Sequence, residues 1–150
     1  MSLSEWAKND WLRSHKTSKQ ELEGLFSIVE RELHDSQVKD ISADGKFNHA
    51  YRASLTLGTI LLYASGYAPA KGQSHHYRVI LTIPEILGKE AKDDSNYLNN
   101  CRAKRNAAEY DAANEASTTI QEGHDQDIDA YRNVIRALCN RLGILVPQGF

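Results

Sequence analysis

Apolar residues recur along most of this chain at intervals of three and four, the period of an amphipathic helix. Leu22, Leu25, Phe26, Val29 and Leu33 form one such face, with Lys19, Glu23, Glu30 and Arg31 opposite it. Thr17 or Ser18 is placed to cap this helix, and Glu21 to complete a capping box. Before it, residues 3–14 read as a short helix anchored by Trp6 and Trp11. Residues 35–46 are polar and end the second helix, while Ser42 and Asp44 are start signals for a third. That third helix carries a broad stripe: Phe47, Ala50, Tyr51, Ser54, Leu55, Gly58, Leu61 and Leu62. Its small members, Ala50, Ser54 and Gly58, predict close approach of another helix. Gly66 and Pro69 end it, and 68–74 reads as a loop.

A fourth helix starts near Ser74, with Tyr77, Ile80, Leu81 and Leu87 as apolar positions. Pro84 removes a hydrogen-bond donor inside it and predicts a break near Thr82 or Ile83. After Gly88 and a charged run, Asp93, Asp94 or Ser95 caps a helix that runs from Ser95 to Tyr110. Residues 112–123 read as a loop or weak helix. A last helix spans about 125–142, with Ile128, Tyr131, Ile135, Leu138 and Leu142 as its stripe. The tail, 143–150, is apolar and is expected to dock on the core or on a partner chain. No alternating strand pattern stands out before the tail. The expected fold is all-α, an up-and-down bundle of about five helices in one domain over 1–150, with its core at about 17–142.

Composition narrows the function classes. Hydrophobic content of 41% and charged content of 25% over 150 residues are those of an ordinary globular domain. The net charge of −2 provides no global attraction for nucleic acid or membrane. The N-terminus is polar, without the apolar core of a secretory signal, and the run 55–68 is too short and too polar to span a bilayer. A cytoplasmic protein that does not enter membranes is expected. Cys101 and Cys139 both fall in predicted helices among aliphatic residues and read as buried free thiols.

The chemistry concentrates around Arg105. Leu98, Cys101, Ala108 and Ala112 form the core stripe of the helix, and Arg105 lies on that stripe. A guanidinium there must be paired, face water in a cleft, or meet another chain, because burying it unpaired is too costly. Arg102, Arg105, Asn106, Glu109 and Tyr110 share an arc of about 140° on an ideal helix. The same arc also fits an ion pair between Arg105 and Glu109 and a tyrosine at the core edge.

The order Arg105-Asn106, three residues, then Tyr110-Asp111, on a helix that also carries Arg102 and Lys104, resembles the signature of HEPN domains. These are small all-α domains whose usual motif is Arg, four to six residues, then His, often with Asn after the Arg. The resemblance extends loosely to the helix over 47–64 and the segment 72–87 with His75 and His76, about two-thirds of the chain. It implies an HEPN-like bundle, a homodimer whose protomers bring two motifs to one cleft, and RNA as a partner. It also implies an antitoxin or nucleotidyltransferase partner, and RNA cleavage without a metal or other cofactor. In that chemistry the arginine holds a phosphate with its planar fork, Asn106 positions it, and a histidine moves the proton. Here Tyr110 fills the histidine position. An unperturbed phenol, with a pKa of about 10, is a poor general base at neutral pH.

The first expectation is therefore an RNA- or nucleotide-binding, dimeric, catalytically degenerate HEPN-like domain. Arg105, Asn106 and Tyr110 are its reactive positions, and Arg102, Lys104, Glu109, His75 and His76 its binding positions. One rival is an active metal-independent endoribonuclease of a toxin–antitoxin or defence system. Another is a helical interaction scaffold that uses the apolar tail and the seven carboxylates of 109–129. His75 and His76 point about 100° apart on a helix and do not share a metal easily. Helix-start or surface placement explains them, although one of them would supply the missing proton-transfer group if it reached the cleft. His49 and Arg52 belong to an exposed polar face or to the same cleft.

Overall fold

The computed structural model describes residues 2–72 and 74–110, and for 106–110 the backbone alone. Five α-helices dominate them: α1 (Leu3–Lys8), α2 (Lys19–Ser36), α3 (Ala43–Ala64), α4 (His75–Leu87) and α5 (Lys92–Tyr110). The expected all-α bundle is the fold observed. Two three-residue strands, β1 (Leu12–Ser14) and β2 (Tyr67–Pro69), pair antiparallel with Leu12 opposite Pro69 and Ser14 opposite Tyr67. The predicted last helix, Ala112, Cys139, the acidic run beyond 110 and the apolar tail lie outside the described residues.

The strands correct two expectations, the helix over 3–14 and the absence of β pairing. A capping box closes the first turn of α1, with Ser2 as cap and Glu5 reaching back to it. The helix stops at Lys8, and Asp10 takes a left-handed φ of 60° that turns the chain. On the other side, Gly66 at φ 92° reverses the chain after α3. Pro69 then disfavours helix at Ala68 and pushes it into extended backbone. Segments of three residues are too short to display a period-two pattern, which is why the sequence hides them.

Helix α3 lies at the centre and packs against α2, α4 and α5. Its buried Phe47, Leu57, Ile60 and Leu61 meet Val29 and Leu33 of α2, Ile80 and Ile83 of α4, and Leu98 and Cys101 of α5. Gly58 faces α4 so closely that an added Cβ would stand 3.0 Å from Val79 Cγ1. The expected close helix approach therefore occurs at this position. A second cluster joins Trp6, Leu12, Leu62 and Val79 beneath the strands.

Local capping mostly follows the sequence. Ser18 Oγ accepts from Glu21 N at 3.1 Å, and Ser42 Oγ accepts from Gly45 N at 3.1 Å. Only half of the α2 capping box forms, because the Glu21 carboxylate is occupied by Thr17 at 2.8 Å and His15 at 2.6 Å. Helix α2 continues past Leu33 to Ser36.

The predicted break at Pro84 does not occur. Helix α4 runs through it, and the reason lies in α5. Pro84 lacks the N–H that would bond the carbonyl of Ile80, four residues earlier. Ser95 Oγ donates to that carbonyl at 2.8 Å instead, from a buried position on α5. Ser95 is thus inside α5, not at its cap. The helix begins at Lys92, directly after a 3-10 turn over Lys89–Ala91. Among the described residues no helix is long and apolar enough to cross a membrane.

Candidate functional site

A cleft of about 460 Å³ opens where α2, α3, α4 and α5 meet. Helix α2 contributes Glu32, α3 contributes His49, Tyr51 and Arg52, α4 contributes His76 and α5 contributes Arg105. Four basic side chains from three helices thus line the cleft together with one carboxylate.

Glu32 forms one wall. Its side chain is only 4% exposed. Oε2 accepts from His49 Nδ1 at 2.5 Å, while Oε1 takes Arg31 at 3.2 Å and Arg52 at 3.3 Å. Burial by itself would raise its pKa. The hydrogen bonds from His49 and Arg31 and the charges of Arg52 and His49 outweigh burial and hold the group below the ordinary value of 4.5. The carboxylate therefore stays ionised and fixes His49 and Arg52 along the cleft.

Tyr51 forms the floor. Its body belongs to the core, and its hydroxyl lies 3.2 Å from His76 Nδ1. The Arg105 guanidinium sits over the Tyr51 ring, with Cζ 5.6 Å from the centroid. Burial pushes the phenol up to about 12, against the opposing pull of Arg105 and Arg102. Tyr51 is consequently a neutral phenol at physiological pH. When it donates to a neutral His76 imidazole through Nδ1, the imidazole N–H is left on Nε2.

The structure brings Arg105 and His76 together, and adds His49 and Arg52 from α3. It does not bring in His75, which is exposed at the start of α4 and lines no part of the cleft. Arg102 is one turn before Arg105. Its Nε donates to Asn99 Oδ1 at 3.0 Å, and its guanidinium lies over the Tyr77 ring. Lys104 is exposed. Asn106, Glu109 and Tyr110 occupy the last turns of α5, and their side chains lie outside the described residues.

Two participants are missing from the sequence reading, Glu32 and Tyr51 as a polar group. Glu32 had a signal. It falls seven residues after Leu25 and three after Val29, so it sits on the apolar stripe of α2, where a charged side chain needs partners. Tyr51 was legible only as a core residue, because nothing local shows where its hydroxyl points.

Among the described residues Glu32, Asp35 and His49 place candidate ligand atoms within 4.8 Å of one another. The Glu32 oxygens, however, already accept from His49 and Arg31 and pair with Arg52, and the two guanidinium charges oppose a cation. The donor set suits an arginine-bound carboxylate better than a metal. A second, larger depression, of about 780 Å³, lies over Leu22, Phe26, Ile60 and Ala64, with Lys19, Glu23 and Glu30 also lining it. Comparison with family models, curated proteins and solved structures finds no match to this chain.

Proposed function

We propose that this protein is an HEPN-like helical domain that binds the phosphates of RNA or of a nucleotide in the Arg105 cleft, as a homodimer. One observation carries the reading: Arg105, Arg52, His49 and His76 converge on a single cleft against one carboxylate. Two guanidiniums and two imidazoles line it beside Glu32. Guanidinium groups match phosphate oxygens in shape as well as charge. The whole chain is weakly acidic, so this local concentration stands against its background. The dimer follows from the resemblance of the Arg105-Asn106 motif, and Tyr110 in the place of the histidine makes loss of cleavage part of the reading.

A second reading, metal-independent endoribonuclease, draws support from His76. An imidazole bonded to the Tyr51 hydroxyl beside Arg105 would supply the proton-transfer group that Tyr110 lacks.

The test is incubation of the protein with mixed structured and single-stranded RNA in excess chelator, with binding and cleavage both followed. Arg105→Ala and His76→Ala serve as variants. The first reading expects binding that weakens in Arg105→Ala, and no cleavage. Cleavage lost in both variants would replace it with the second. Neither binding nor cleavage would sink both. Light scattering addresses the dimer, and a strict monomer at high concentration removes it.

A further inference from the structure

We infer that Tyr77 and Arg102 form a stacking site for an unpaired base beside the cleft, so that its ligand is single-stranded RNA. The inference rests on the reading of the cleft as a phosphate site and narrows its substrate class.

Tyr77 is 40% exposed in the first turn of α4. It follows His76, which lines the cleft. The Arg102 guanidinium lies over its ring, with Cζ 5.1 Å from the centroid, and the bond to Asn99 sets the orientation of that side chain. Arg102 in turn sits three residues before Arg105, about 4.5 Å along the helix axis. Arg105 lies over the Tyr51 ring on the cleft floor, and Arg102 is displaced from it by only about 60° around the α5 axis. A phosphate at Arg105 would therefore have an aromatic ring and a planar cation within reach of its own nucleotide.

These are the groups that single-stranded RNA recognition uses. Unpaired bases stack on aromatic rings and guanidinium planes, while duplex bases are already stacked on each other. A buried Tyr77 would serve only to pack α4 against α5. At its observed exposure the ring retains surface that a base can cover.

The probe is a short single-stranded RNA carrying a fluorescent adenine analogue whose emission falls on stacking. The same strand is also prepared in a duplex and with the reporter base removed. Wild type is expected to quench the reporter and to prefer the single strand to both the duplex and the abasic strand. Tyr77→Ala should lose the quench and bind the single strand at least about five-fold more weakly, as for loss of one base stack. Tyr77→Phe should retain both. Unchanged affinity and quench in Tyr77→Ala, with only a lowered unfolding midpoint, would make the contact simple packing and overturn the inference. The abasic strand isolates the phosphate reading. If Arg105→Ala weakens its binding while Tyr77→Ala has no effect on any strand, only the stacking site fails. If Arg105→Ala leaves the abasic strand unaffected, the phosphate reading fails and takes the stacking site with it.

Discussion

Glu32 shows how one buried charge can organise a surface. Its carboxylate is covered, but Arg31 and Arg52 remain more than half exposed and regain water readily if it is removed. Glu32→Gln should therefore cost about 1.5–3 kcal/mol, the range for losing hydrogen bonds to a charged group, and not the larger penalty of a fully buried pair. Its pH dependence has a definite sign. The folded pKa lies below the ordinary 4.5, so this stabilisation is complete above that value. It is lost as the pH falls below it, because the unfolded chain takes up the proton first. Urea unfolding across acidic pH should show a steeper loss for wild type than for Glu32→Gln. Tyr51 offers a second residue-level test. The difference in phenolate absorbance between wild type and Tyr51→Phe should have its midpoint at about 12. A midpoint near 10 would mean that the phenol is not buried.

Between elements, the joint of α4 and α5 is the most exposed to test. Proline within a helix frees a carbonyl, and here a serine from the next helix occupies it. Ser95→Ala should strand the Ile80 carbonyl and destabilise by about 1–3 kcal/mol. Adding Pro84→Ala restores a local N–H, so the double variant should recover much of that loss in a double-mutant cycle by urea unfolding. Equal losses in the single and double variants would show that Ser95 acts through something other than the carbonyl. Gly58 sets the spacing of α3 and α4 in the same way. Gly58→Val, pressed against Val79 and Ile83, should lower the unfolding midpoint by forcing the helices apart.

For the whole molecule, the proposed phosphate cleft makes a prediction about salt. Affinity for RNA should fall as salt rises, and Arg105→Ala should reduce the slope of log affinity against log salt by roughly one phosphate contact. Fluorescence anisotropy at several salt concentrations measures it. A slope that Arg105→Ala does not alter would remove Arg105 from the phosphate contacts. The overall charge of −2 makes the local arrangement decisive, since no general attraction compensates for its loss.

Helix identity was legible because a helix buries one stripe, and a stripe is written at intervals of three and four. The faces of α2 and α3, the Ser18 and Ser42 caps and the buried Cys101 all follow from such neighbours. The singular position of Arg105 on its stripe was legible for the same reason. The strands were not, since three residues show no period and their pairing depends on Gly66 and Asp10 turning the chain. Continuity through Pro84 was not, because the freed Ile80 carbonyl is met by the Ser95 hydroxyl, 15 positions further along the chain than Ile80. The cleft is likewise non-local: His49 meets Glu32 across 17 positions, and Tyr51 meets His76 across 25. Local spacing decides which face of a helix is buried, through the repeat of the backbone. Which side chains meet at the end of that face depends on how the helices pack, and packing is a property of the assembled chain.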